Sequence, residues 1–181
     1  MNTIGDDFER TSCDCASCRV PCRHMPGCLV PGDLENIAEH QGQAEKKNWK
    51  ARLEWLTESF RASDGAKVIF RGMVMQVPTL VPAQKEDGSC VFLNEEGHCS
   101  IHSVAPFGCA YHDTHMDLKD ANERSNAAVL SQMADIEQEG ILAHTIATFR
   151  SVGLIAPPIE ERRKNFEDDL AKVEEQCDQS A

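Results

Sequence analysis

The chain reads CVFLNEEGHCSIHSVAPFGC from Cys90 to Cys109 and CDCASCRVPCRHMPGC from Cys13 to Cys28. These two stretches contain eight of the nine cysteines, and the sequence between them contains none. Core packing offers no reason to concentrate a small apolar side chain in two places. Thiolate ligands offer one, because several sulfurs must reach the same metal centre. The pattern therefore predicts two cysteine-bearing loop regions that fold against each other around metal.

Composition favours metal over disulfides as the reason for the cysteines. The first residues are acidic and lack an apolar segment, so we expect no secretory signal and a cytoplasmic location, where thiols stay reduced. No stretch reaches the roughly 20 apolar residues of a membrane-spanning helix. We therefore expect a protein that does not enter the membrane and whose clustered cysteines bind metal.

The charge of the chain argues against nucleic acid as a partner. The net charge is −12 over 181 residues. Binding to nucleic acid irrespective of its sequence depends on Lys and Arg neutralising phosphates, and this surface would mostly repel a polyanion. The simplest consequence of the acidity is solubility.

The spacing of apolar residues outside the cysteine stretches predicts an α+β, mainly helical fold. Residues 13–32, with their prolines, are expected to form a loop-rich metal-binding core. A helix is expected from Leu34 to His40, with Asp33 as its cap, and another from about Ala44 to Phe60. Short apolar runs on either side of Arg71-Gly72 predict a β-hairpin over 67–77.

The C-terminal part is predicted to be helical. Helices are expected at about 118–138, 141–149 and 159–176. We divide the chain into a metal-binding domain, 1–117, and a helical extension, 118–181, that packs on it. The last helix is acidic with few apolar positions, so it either docks by a narrow stripe or contacts a protein partner.

The spacing of the cysteines leaves the metal open. Cys15 and Cys18 form one two-residue knuckle, whereas structural zinc sites usually use two. Iron–sulfur clusters take four thiolates at looser spacings. We favour one or two [4Fe–4S] clusters and keep Zn²⁺ as the alternative. The candidate ligands are Cys13, Cys15, Cys18, Cys22, Cys28, Cys90, Cys99 and Cys109.

The two stretches resemble the YkgJ-type cysteine-cluster family, described as zinc- or iron-chelating domains. The first similarity is Cys15-Ala-Ser-Cys18-Arg-Val-Pro-Cys22, followed by a Pro-Gly and an acidic-leading helix; the second spans residues 90–109. Arg23 stands where that family has a doubled cysteine, and Ala105 where an Arg usually precedes the proline. The resemblance implies a cluster-binding domain. It implies no single reaction, because family members accompany varied chemistry, including lysine methylation of flagellin.

Two classes of function follow from these observations. In the first, an iron–sulfur centre is redox-active or supports a modification reaction. In the second, zinc is structural in an accessory or interaction module; metal storage or delivery is a further alternative. His112 and His115, just after Cys109, could ligate the metal or move protons, but a polar loop that caps the next helix is the simpler interpretation. Whether the protein is an enzyme is left open.

Overall fold

Seven helices and four short strands make up the part of the chain that the computed structural model describes, residues 8–11, 16–43, 49–65 and 67–178. The helices are α1 (Ala16–His24), α2 (Asp33–His40), α3 (Trp49–Ser59), α4 (Phe107–Ala110), α5 (Leu118–Glu137), α6 (Ile141–Ser151) and α7 (Ile159–Asp178). The strands are β1 (Phe60–Ser63), β2 (Lys67–Phe70), β3 (Met73–Gln76) and β4 (Thr79–Pro82). The predicted α+β, mainly helical fold is confirmed.

The first cysteine stretch contains a helix where we expected only loops. Helix α1 includes Pro21, which cannot donate a backbone hydrogen bond but leaves the rest of the helix intact. Its Val20 is buried at 5% exposure and anchors the helix. Cys13 and Cys15 lie outside the described residues.

Helix α2 forms at the expected place, but the predicted role of Asp33 is wrong. The residue before the helix is Gly32, which has a φ of 94° and offers no side chain to cap it. The Asp33 carboxylate instead accepts hydrogen bonds from the backbone N–H groups of Val30 and Phe107, at 2.9 Å each. Asp33 therefore joins α2 to the second cysteine stretch.

Helix α3 ends one residue earlier than expected, because Phe60 begins strand β1. Phe60 lies opposite Pro82 of β4 in an antiparallel pair, and Ser63 lies opposite Thr79. All four residues of β4 are buried. The core contact is close at the end of this helix and weaker along it: Phe60, the first residue of β1, is fully buried, but Leu53 of α3 is 42% exposed.

The predicted β-hairpin is present. Strands β2 and β3 pair antiparallel, with Phe70 opposite Met73. Arg71 and Gly72 both have positive φ, 50° and 79°, as a two-residue hairpin turn requires.

The main core lies between the β1–β4 pair, helices α2 and α6, and the second cysteine stretch. Its buried members include Leu29, Ile37, Phe60, Leu80, Cys90, Phe92, Leu93, Ile101, Ile146 and Phe149. Burial of side chains of this size stabilises the fold by about 1.5–3 kcal/mol each. The core therefore holds the 90–101 segment firmly against the rest of the chain.

The three C-terminal helices follow the prediction closely. Helix α5 packs on α6, and α7 packs along α1. His24 of α1 and Asp169 of α7 lie 2.8 Å apart. The division at residue 117 and a partner for α7 stay predictions. None of the helices in the described ranges combines the length and the apolar character needed to cross a membrane.

Candidate metal centre

Helix α1 presents two cysteines on one face. Cys18 and Cys22 are four residues apart, so their side chains lie one above the other on the helix. The Cys18 Sγ lies 3.1 Å from the Thr114 hydroxyl, in the loop before α5. Helix α1 therefore places the thiols of Cys18 and Cys22 next to each other.

The second cysteine stretch is tied to α1 by its backbone. The N–H of Cys90 donates to the Cys22 carbonyl at 3.1 Å. Cys99 is brought back toward Cys90 by an isolated antiparallel bridge with Leu93. A tight turn connects the two sides, with the Gly97 N–H donating to the Asn94 carbonyl at 3.0 Å. These contacts place Cys90 and Cys99 beside Cys22.

Two glycines bring Cys109 to the same place. Gly27 and Gly108 pack backbone to backbone: a Cβ on Gly27 would lie 2.1 Å from the carbonyl carbon of Gly108. The Gly108 N–H donates to the Cys28 carbonyl at 2.9 Å. This approach lets the Gly27 N–H donate to the Cys109 Sγ at 3.0 Å. Only residues without a side chain permit that contact.

Five thiols line one cavity of about 360 Å³. They belong to Cys18, Cys22, Cys90, Cys99 and Cys109. Among the described residues, however, no three Cys, His, Asp or Glu side chains stand where they could hold a single metal ion.

Burial and crowding disfavour thiolates in this cavity unless a cation is present. Burial raises the pKa of Cys90 to about 12, and the nearby Cys99 and Cys22 add to the shift. Burial also raises the pKa of Cys109 well above its usual range, with Cys22, Cys90 and Cys99 contributing. A bound metal reverses this balance, because its positive charge stabilises thiolates.

Cys28 lies elsewhere. Its side chain faces a second cavity together with Gln132, and it is absent from the walls of the cysteine cavity. Burial raises the pKa of Cys28 to about 11, and the Asp33 carboxylate adds to the effect. The structure thus separates Cys28 from the other described candidates.

Of the histidines near the cysteines, three line the cysteine cavity. They are His98, His102 and His112. His115 is not in that wall; its N–H donates to the Asp113 carboxylate at 2.9 Å. Asp117 caps α5 by accepting from the Asp120 N–H at 2.9 Å, as the polar-loop interpretation predicts.

Sequence reasoning missed three residues that shape the site. Gly27 and Gly108 set the approach of the two segments, and Thr114 contacts Cys18. A glycine immediately before a cysteine, as in Gly27-Cys28 and Gly108-Cys109, is the signal that could have pointed to the first two.

Comparison with known proteins identifies the family of the chain. The model of the CxxCxxCC family, described as "Putative zinc- or iron-chelating domain", matches residues 14–133. No curated protein and no solved structure matches the chain. The matched segment includes α1, the second cysteine stretch and most of α5, and it makes up more than half of the sequence. The chain therefore belongs to the CxxCxxCC family of zinc- or iron-chelating domains.

Proposed function

We propose that this protein binds a [4Fe–4S] cluster through Cys22, Cys90, Cys99 and Cys109. The observation that carries the proposal is that these four thiols come from both cysteine stretches and line one cavity. The charge on each of Cys22, Cys90 and Cys99 raises the pKa of Cys109, so the four sulfurs are near one another. Four thiolates are the usual ligands of such a cluster.

The residues around the cavity fit that group. Thiolates are soft donors that favour iron–sulfur clusters or zinc over magnesium or calcium. Hydrogen bonds to sulfur are one of the means by which proteins tune such clusters, and the Gly27 N–H supplies one to Cys109. Without a metal, four buried or half-buried thiols would gain little from being gathered here.

The positions of the cysteines in the sequence favour a cluster over one zinc ion. Structural zinc sites usually use two Cys-x₂-Cys knuckles, and the chain has one clear knuckle, Cys15 to Cys18. Iron–sulfur clusters take four thiolates at looser spacings, such as those of the cysteines in the second stretch.

We further propose a redox role or support of a modification reaction. When bound, an iron–sulfur cluster supplies one-electron chemistry. Cys18 is partly exposed at the edge of the cavity, and His98 and His102 also line it, so the centre lies near the surface. A reducing, cytoplasmic setting would keep the thiols available. A second centre that uses Cys13 and Cys15 stays a prediction.

Anaerobic purification of the full chain tests this proposal. We expect about four iron atoms and four acid-labile sulfides per chain, and a visible absorption band that bleaches on addition of dithionite. Stoichiometric zinc in a colourless protein would contradict the proposal and would support the structural zinc site instead. Metal that leaves readily to a weak chelator would also contradict it and would favour storage or delivery.

A further inference from the structure

A second cavity lies behind the cysteine cavity. Its volume is about 310 Å³, close to the lower end of small-molecule sites. Its walls are mostly apolar and include Val68, Val77, Val81 and Val129. Pro26 and His112 line both cavities, and they stand between the two spaces.

A buried arginine lies in the wall of this second cavity. Arg162 of α7 is only 5% exposed. Its Nε donates to the Pro157 carbonyl at 3.1 Å and its Nη2 to the Ser63 hydroxyl at 3.4 Å. Ser63 also lines the cavity, so the guanidinium lies at the cavity wall.

No carboxylate balances that charge among the residues that the structure describes. The ion pairs there involve other residues, and burial, without an acidic neighbour, is what lowers the pKa of Arg162. A buried cation without an anion costs free energy, because its lost hydration is not replaced. An anion in the cavity would supply the missing charge.

The other polar groups of the wall narrow the choice of ligand. Thr79 and Gln132 already donate to the Leu29 carbonyl, at 2.8 and 2.9 Å. Arg162 is thus the cation that the wall offers to a ligand. One guanidinium suits a carboxylate better than a phosphate dianion, which needs more donors.

We propose that this cavity binds a small apolar monocarboxylate, with its carboxylate on Arg162 and its hydrocarbon part against the four valines. The arginine fork matches the planar geometry of a carboxylate. The chain carries a net charge of −12, so its surface as a whole does not attract anions, and binding of a carboxylate would depend on a local cation such as Arg162. This site uses other residues than the proposed cluster, so either proposal can fail without the other.

Calorimetric titration of the metal-loaded protein with hexanoate and with 1-hexanol tests the proposal. The two probes share a chain length and differ in charge. We expect saturable binding of one hexanoate per chain and binding of 1-hexanol weaker by on the order of tenfold or more. Equal affinity for the two probes, or no binding of hexanoate, would overturn the proposal.

Two arginine variants and one cavity-filling variant locate the site. Arg162→Met is expected to weaken hexanoate binding by on the order of tenfold or more, whereas Arg163→Met, at the exposed neighbouring position, should not change it. Val129→Phe fills the cavity, leaves Arg162 in place and should also abolish binding. Equal losses in the two arginine variants, or full binding in a folded Val129→Phe protein, would contradict the assignment. If Arg162→Met does not fold, the proposal is still tested by the comparison of hexanoate with 1-hexanol and by the Val129→Phe variant.

Discussion

The backbone N–H of Gly27 donates a hydrogen bond to the Sγ of Cys109, 3.0 Å away. The two residues belong to different cysteine stretches, so this contact joins the two halves of the site. It forms because Gly27 and Gly108 lie backbone to backbone. The thiol cavity therefore depends on two residues that carry no ligand atom of their own.

Substitution of either glycine should open the site. A Cβ on Gly27 would lie 2.1 Å from the Gly108 carbonyl carbon, and one on Gly108 would lie 2.3 Å from the Cys28 nitrogen. Backbone must move in both cases, so Gly27→Ala and Gly108→Ala should each lower the free energy of unfolding by about 3 kcal/mol. Urea denaturation and metal content, measured together, check this.

Gly72→Asn is the control for that experiment. Gly72 is in the turn of the β-hairpin, has a φ of 79° and has open space where a Cβ would be. Asn tolerates this backbone conformation, so stability and metal content should stay close to those of the wild type. If Gly27→Ala matches this control, the close packing of the two segments is not required.

The pH dependence of stability should report on Asp33. Burial raises its pKa to about 6 from 3.8, and the hydrogen bonds from the Phe107 and Val30 N–H groups offset only part of that effect. Between about pH 4 and pH 6 the folded protein keeps a proton that the unfolded chain has released. The free energy of unfolding should therefore fall as pH rises through this window, by about 3 kcal/mol in total.

Asp33→Asn should remove that fall, because the amide cannot ionise and its oxygen can still accept both backbone hydrogen bonds. Denaturation midpoints from pH 3.5 to 7 in both proteins provide the comparison. Glu39→Gln, exposed on the same helix, should leave the wild-type slope in place. An unchanged slope in Asp33→Asn would mean that its carboxylate is not the group responsible.

Removal of the metal should loosen the cysteine segments before the rest of the fold. Gathered thiols gain their stability from the metal, so the loss of metal removes a folding contribution. Hydrogen exchange should rise in peptides that cover 18–28 and 89–110, which include the amides of Gly27 and Cys90. Peptides from α6 are the internal control, since that helix carries no cysteine. An equal rise in hydrogen exchange across the whole chain after metal removal would argue against a local role for the metal.

Local signals were enough to predict most of the helices. Leu34, Ile37 and Ala38 recur at helical spacing and form a buried stripe on α2. The turn at Arg71-Gly72 is equally local. Each of these features depends on residues within a few positions of one another, which a sequence pattern records directly.

The features that sequence reasoning missed depend on distant partners. Strand β4 is a four-residue segment next to prolines, and its pairing with β1 at Phe60 is what makes it a strand. We expected a loop in the first cysteine stretch because of its prolines, but Pro21 lies inside helix α1 and does not prevent the helix from forming. Spacing groups Cys28 with its neighbours as a ligand, which stays a prediction; the structure places Cys28 in the wall of the second cavity, next to the contact between Gly27 and Gly108. Such outcomes are set by tertiary packing, which periodicity does not record.

The most direct test measures the metal bound by single cysteine variants of the full chain, purified anaerobically. Cys22→Ala, Cys90→Ala, Cys99→Ala and Cys109→Ala should each lose most of the iron and sulfide, because each removes one of the four proposed ligands among the five thiols that line the cavity. Cys28→Ala is the matched control: it removes a half-buried thiol from the other cavity and should retain the wild-type content. Retention of full metal by the first four variants, or an equal loss in Cys28→Ala, would show that the cavity between the two cysteine stretches is not the metal centre.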